Sequence, residues 1–337
     1  MGYMPKICVI TGDGIGKEVV PETLRVLNEV HDFEYIEAHA GYECFKRCGE
    51  SIPESTIQTA KNSDSILFGS VTTPKPTELK NKPYRSPILT LRQELDLYAN
   101  IRPTYNFKDL DFVIIRENTE CLYVKREYYD EINEVAIAER IISKKGSERI
   151  IKFAFEYARL NNRKKVSCIH KANVLRVTDG LFLEIFEKIA KLYENFGISS
   201  NDYLIDATAM YLIKNPYMFD VMVTTNLFGD ILSDEAAGLI GGLGMSPSAN
   251  IGDNLGLFEP VHGSAPDIAG KGISNPIATI LSASMMLDHL KMNKKAEIIR
   301  NAVKKTINNG YLTPDLGGSL KTSEVVNKVI EFIRDEI

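Results

Sequence analysis

Asp230 and Asp234, in Gly229-Asp-Ile-Leu-Ser-Asp234, stand four positions apart. On a helix they share one face. Two like charges there repel, at a cost of roughly 0.2–0.5 kcal/mol. A divalent cation would reverse that cost. Hard carboxylate oxygens suit Mg²⁺ or Mn²⁺, ions that keep waters and take further oxygen ligands from a substrate. A solvated acidic helix face is the plainer alternative. Asp206, after the apolar Tyr203-Leu-Ile205, is a candidate third ligand. Arg92, Arg102 and Arg116 fall at or near the ends of predicted elements. As a set they can grip carboxylates bidentately; singly, each reads as a surface arginine. Lys171, in His170-Lys-Ala-Asn173, follows an apolar strand. A lysine there can serve as a base or simply reach out to water. Tyr123, at a predicted strand end, can donate a proton or merely pack.

Two glycine-bearing segments look made for ligands. Thr11-Gly-Asp-Gly-Ile-Gly-Lys17 lies between a strand and a helix, where phosphates often bind. Its glycines lack the third position of a dinucleotide fingerprint. Glu18 stands where a Walker loop needs Ser or Thr. A tight turn opening a helix explains it equally well. The loop 259–270 carries His262, Gly263, Ser264 and Asp267 and has little core-forming value. Glycine lets backbone approach a ligand there, and an acidic side chain can accept hydrogen bonds from a ribose diol.

These residues need a scaffold, and the chain is long enough to supply it. At 337 residues, with 44% hydrophobic and 25% charged, it predicts about two globular domains. A net charge of −5 argues against a nucleic-acid partner. Apolar runs such as 280–287 are too short to span a membrane, and residues 1–17 are too polar for a signal peptide. The five cysteines are odd in number and scattered, which points to a reducing, cytoplasmic setting. Cys44 and Cys48 lie one helical turn apart and read as a reduced helix face.

Apolar runs at 6–11, 33–39 and 65–70 alternate with helical spacing at 17–30 and 53–62. That rhythm predicts a mainly parallel sheet with helices on its faces. Residues 72–87 read as a loop, followed by helix at 88–95. Strands are expected at 98–102, 112–116, 135–143, 165–170, 203–205 and 221–225. Helices are expected at 147–160, 178–196, 207–214 and 226–240. Residues 258–276 read as a long loop, and 277–290, 294–309 and 323–337 as helices that pack back on the first sheet.

Taken in order, these segments resemble the β-decarboxylating dehydrogenases, the isocitrate and isopropylmalate dehydrogenase family. The matching pieces are Gly12-Asp-Gly-Ile-Gly16, Leu91-Arg92, Tyr98-Ala-Asn-Ile-Arg-Pro103, Arg116-Glu-Asn-Thr-Glu120, His170-Lys-Ala-Asn173, Phe228-Gly-Asp-Ile-Leu-Ser-Asp-Glu235, Ser248-Ala-Asn-Ile-Gly-Asp253 and the loop 259–270. They cover nearly the whole chain.

The resemblance implies two α/β domains with a central cleft, a fold that is not Rossmann. Residues 1–98 with 241–337 would form the first, carrying the cofactor loop. Residues 99–240 would form the second, with the dimer interface and an arm near 124–142. Two subunits of a homodimer, or of a tetramer, would share each active site. Lys171 and Asp206 would come from one chain; Arg92, Arg102, Arg116, Tyr123, Asp230 and Asp234 from the other. The family roles place Mg²⁺ or Mn²⁺ on Asp206, Asp230 and Asp234. They place the substrate's malate portion on the arginines, and the proton transfers on Lys171 and Tyr123. Asn173 would touch substrate or nicotinamide. His262, Gly263, Ser264, Ala265, Asp267 and Asn275 would meet the adenosine end. Asp267 and Ile268 stand where NADP-preferring members carry basic or phenolic side chains, so the cofactor is expected to be NAD. Similarity is greatest to homoisocitrate dehydrogenases, so homoisocitrate is the expected substrate with isocitrate as a second one, and Thr73 and Ser86, and Tyr84 or Arg85, are available to a tricarboxylate. Ile88 and Leu89 are apolar and keep 3-isopropylmalate as the alternative. A non-catalytic regulatory subunit is disfavoured, because Lys171, Tyr123 and all three aspartates are present.

Overall fold

A computed structural model describes residues 4–79 and 82–337. Its contacts divide the chain into two compact units, Met1–Leu97 with Gly241–Ile337, and Tyr98–Ile240. The chain begins in the first unit with β1 (Lys6–Gly12), α1 (Gly16–Val30), β2 (Glu34–Glu37), α2 (Tyr42–Cys48), α3 (Glu54–Lys61), β3 (Ser65–Ser70), α4 (Pro76–Leu79) and α5 (Pro87–Glu94). It then builds the second unit from β4 (Ala99–Tyr105), β5 (Asp111–Glu117), β6 (Glu127–Asp130), β7 (Val135–Ala138), α6 (Lys144–Leu160), β8 (Lys165–His170), α7 (Thr178–Tyr193), β9 (Ser199–Leu204), α8 (Ile205–Lys214), β10 (Val221–Thr224) and α9 (Asn226–Leu239). It returns with β11 (Pro247–Ile251), β12 (Gly256–Pro260), α10 (Ile277–His289), α11 (Asn293–Asn308) and α12 (Thr322–Arg334).

In the first unit the strands lie in the order β2-β1-β3-β12-β11. All neighbours are parallel except β11 and β12, which form an antiparallel hairpin. Every residue of β3 is buried, the near-continuous apolar run of a strand covered on both faces. Helix α10 is buried almost all round and packs on β12, β11 and α11. Helices α1 and α12 pack on each other, and α1 also on α10.

The second unit orders its strands β4-β5-β10-β8-β9, with only β4 and β5 antiparallel. Strands β6 and β7 form a separate antiparallel pair. They leave Tyr128, Tyr129, Ile132 and Val135 exposed. Helix α6 starts on Ser143, whose hydroxyl accepts the Gly146 N–H at 3.0 Å, an N-cap in the usual sense.

Some elements differ from the sequence reading. The expected loop 258–276 begins inside β12. Glu259 made that stretch look polar, but it is buried and paired with Arg92, so a polar residue hides a core strand. Strand β11 was not expected at all, since its sequence Pro-Ser-Ala-Asn-Ile offers little apolar signal. Four residues of the expected loop 72–87 form α4, and residues 80–81 of that loop lie outside the described residues, as do residues 1–3 of the chain's start. The strand expected at 203–205 begins earlier, at Ser199, and yields to α8 at Ile205. Tyr123 sits in a 3₁₀ turn, Leu122–Val124, rather than at a strand end. Cys44 and Cys48 are free, with sulfurs 3.6 Å apart on α2. Among the described residues no helix is long and apolar enough to cross a membrane.

Candidate active site

Strand pleating explains why two of the predicted arginines meet. Asn100 and Arg102 are two apart on β4 and face the same way; Asn100 is registered opposite Arg116 on β5. Both guanidinium groups therefore leave one face of the sheet, the face that α9 covers. Gly229 makes this approach possible. A Cβ there would stand 2.6 Å from Cγ of Arg116, inside any real contact distance.

Helix α9 then presents its carboxylates. Arg116, 1% exposed, donates through Nε and Nη2 to Asn226 Oδ1 at 3.0 and 2.8 Å and through Nη1 to Asp230. Arg102 donates to Ser233 Oγ at 2.5 Å, and its two terminal nitrogens lie 3.5 Å from Asp230 and Asp234. Tyr123 donates its hydroxyl to Asp230 Oδ2 at 2.5 Å, and the Arg116 guanidinium lies 5.1 Å from the Tyr123 ring. Burial holds the Tyr123 phenol above the ordinary tyrosine range; Arg116 opposes this and Asp230 adds to it. Burial also raises the Asp234 carboxyl, against the pull of Arg102. The expected shared face of Asp230 and Asp234 thus exists, and cations balance its charge.

Lys171 and Asp206 form a second group in the same unit. Lys171 follows β8, Asp206 opens α8, and Nζ reaches Asp206 Oδ1 at 2.5 Å. The lysine hydrogen bond holds the Asp206 carboxyl below the usual carboxylate range. Asn173 is exposed just beyond. The chain does not gather its three predicted metal ligands. Among the described residues no cluster of three or more His, Cys, Asp or Glu side chains could hold a metal.

The remaining predicted residues lie in the first unit. Arg92 is 5% exposed on α5 and donates to Glu259 Oε1 at 3.1 Å, an oxygen that also accepts from Asn250 at 2.8 Å. Thr73 is exposed, and Ser86 opens α5 without capping it through its side chain. The loop after β12 is tied to the glycine turn. Ser264 accepts the Ile15 N–H at 2.9 Å through its carbonyl and the Thr72 hydroxyl at 2.7 Å through Oγ. Gly14 has φ +53°, and a Cβ on it would stand 2.0 Å from the Ser264 carbonyl oxygen. His262 Nε2 is buried with no hydrogen-bond partner, and burial keeps the ring below the ordinary histidine pKa, hence neutral. Gly263 and Asp267 are exposed, and Ala265 has φ 37°. Asn275 is engaged inside the fold: its carbonyl accepts the Ile277 N–H at 3.0 Å and its amide donates to Asp315 at 3.0 Å.

Sequence reasoning missed the residues that hold these loops. The Asp13 carboxylate, 1% exposed, accepts the N–H groups of Tyr42, Glu43 and Thr72 at 2.7, 2.9 and 2.8 Å. Glu18 accepts from Gly270 N and, at 3.2 Å, from the Ser274 hydroxyl. Both acids lie within or beside the Gly12–Gly16 motif, where the glycines drew attention away from them.

The second unit of this α/β protein thus sets guanidinium groups over paired helix carboxylates and a lysine on a third, side chains suited to a carboxylate ligand. The isocitrate/isopropylmalate dehydrogenase family model matches residues 6–329, and the chain belongs to that family of oxidatively decarboxylating dehydrogenases. A homoisocitrate dehydrogenase of Methanocaldococcus jannaschii is 59% identical over 99% of both chains. A 3-isopropylmalate/3-methylmalate dehydrogenase of the same organism is 51% identical, over 99% of this chain and 100% of that one. The crystal structure of isocitrate dehydrogenase from Methylococcus capsulatus has a TM-score of 0.93 at 43% identity, covering 98% of this chain and 100% of that one.

Proposed function

We propose that the chain is a cytoplasmic, homodimeric dehydrogenase that converts homoisocitrate to 2-oxoadipate and CO₂, with NAD as oxidant and Mg²⁺ or Mn²⁺ as metal. The observation that carries this reading is the convergence of Arg102, Arg116 and Tyr123 on Asp230 and Asp234 of α9, with Lys171 on Asp206. The 59% identity to a homoisocitrate dehydrogenase supports the choice of substrate.

The residues fit the groups that the reading requires. Three carboxylates with exposures of 66%, 37% and 58% offer hard oxygens to a divalent cation. Lys171 with Asp206, and Tyr123 with Asp230, form separate groups within one chain, which supports a site shared between two copies. The buried, partnerless His262 Nε2 and the open Gly263 suit a nucleotide in the first unit. When bound, the metal supplies Lewis-acid polarisation of the substrate's hydroxyl and carboxylate, and the nicotinamide supplies a hydride acceptor.

The chain's own residues do the rest. Arg102 and Arg116 hold the malate carboxylates in a fixed plane. Lys171 Nζ accepts the proton of the substrate hydroxyl as the carbonyl forms. Carbon dioxide leaves from the β-keto acid, and Tyr123 Oη, kept protonated at neutral pH by burial, donates to the carbon left behind. Thr73 and Ser86, in the first unit, offer hydroxyls suited to the distal carboxylate of a tricarboxylate.

Product analysis tests this reading. Homoisocitrate, NAD and Mg²⁺ should yield NADH, CO₂ and 2-oxoadipate in equal amounts; NADH without CO₂ would overturn it. Two variants address the nucleotide. Gly14→Ala should displace the Ser264 loop and raise KM for NAD by roughly tenfold, about 1.4 kcal/mol, with a smaller change in kcat. Exposed Asp267 repels a 2′-phosphate. Asp267→Lys with Ile268→Tyr should therefore raise kcat/KM for NADP relative to NAD. A wild type that already prefers NADP would contradict the assignment.

A further inference from the structure

One buried ion pair in the second unit touches the start of α9, the start of the Tyr123 turn and the backbone of Lys171. Arg140 lies just past β7, next to the bridge that joins Ile141 to Cys121. Its side chain is 13% exposed and that of its partner, Asp179 in the first turn of α7, is fully buried. The Arg140 guanidinium binds Asp179 Oδ1, Thr178 Oγ1 at 3.2 Å, Thr225 Oγ1 at 3.0 Å and Cys121 Sγ at 3.3 Å. It also lies 4.8 Å from the Phe228 ring. Thr225 is the N-cap position of α9, and Cys121 that of the turn holding Tyr123.

The other oxygen of Asp179 accepts the backbone N–H of Lys171 at 2.7 Å. The next N–H, of Ala172, donates to His170 Nδ1 at 3.0 Å, while His170 Nε2 lies 3.0 Å from Asp202. Two successive amides at Lys171 are thus fixed by side chains. A buried ion pair adds little net stability, since well-packed apolar residues commonly do as well. What it does supply is direction: the planar, five-donor guanidinium locks several groups at once.

We propose that Arg140 and Asp179 are positioning residues, setting the Lys171 backbone for proton transfer and fixing it against the starts of α9 and of the Tyr123 turn. The inference rests on Lys171 being the base. Misplacing a reacting group by about 1 Å can cost 10²-fold in rate, so even partial release should be measurable.

The test compares Arg140→Met, Asp179→Asn, the double variant and Lys171→Met, with homoisocitrate, NAD and Mg²⁺. Each single variant strands a buried charge and should lose both Tm and kcat. The double variant strands none, so its Tm should return toward wild type. Its kcat should stay lower by about tenfold or more, with KM for NAD within about twofold because the NAD-contacting loop is in the first unit. A double variant that regains kcat together with Tm would show that the pair serves stability alone. Wild-type kcat in both single variants, beside an inactive Lys171→Met, would likewise overturn the inference and leave the base intact. Turnover retained by Lys171→Met would bring down the base assignment and the inference together.

Discussion

Lys171→Met is expected to lower kcat by about 10²–10⁴-fold, the usual contribution of a positioned general base. Methionine keeps most of the stem volume and removes only the amine head and its hydrogen bond to Asp206. The strand before it, the Asp179 carboxylate under its N–H and the His170 ring beside it stay in place. Tm should therefore move little, because Asp206 is exposed and its pair with Lys171 adds little stability. KM for homoisocitrate should change far less than kcat, since the arginines proposed to hold the carboxylates are untouched. Steady-state kinetics with a thermal melt separates these effects. A variant that loses activity only because it unfolds would not support the assignment.

Asp230→Asn should be comparably severe for a different reason. Asp230 accepts from Arg116 Nη1 and Tyr123 Oη and lies 3.5 Å from Arg102 Nη2, and on the proposed reading it also gives an oxygen to the metal. The amide removes the charge that all these groups share. Losing several kcal/mol of metal-derived charge stabilisation corresponds to about 10³-fold in kcat/KM. Mg²⁺ titration should show weaker metal activation, and added EDTA should change the residual rate little. Arg116, buried beneath, also loses its anionic partner. The stability cost stays below the roughly 3–5 kcal/mol of a fully buried broken pair, since Asp230 is 37% exposed. Wild-type turnover and metal dependence in this variant would remove α9 from the site.

The α/β class was legible because β1, β3 and β8 are short apolar runs between helical periods. The candidate site was legible as a proposal where residue type and spacing coincide: Asp230 and Asp234 at four, Lys171 after a strand, arginines near element ends. What stayed hidden depends on long-range pairing. Nothing local shows that Glu259 is a buried partner of Arg92 on a core strand, or that Asp13 receives three backbone amides from two other segments. Arg140 and Asp179 are 39 positions apart. Nothing in the sequence singles out either one, and only the folded second unit makes them a pair. Asn275 is a similar case. The resemblance offers it to the nucleotide, and the fold adds what the sequence did not show, a donation to Asp315 and an acceptance from the Ile277 N–H.

The most direct test of the central claim is a comparison of kcat/KM for homoisocitrate, isocitrate and 3-isopropylmalate. It uses the purified chain with NAD and Mg²⁺, and EDTA as control. Homoisocitrate should lead, and EDTA should abolish its turnover. Turnover led by 3-isopropylmalate would contradict it, and would make half-buried Ile88 and Leu89 on α5 the walls of an apolar pocket.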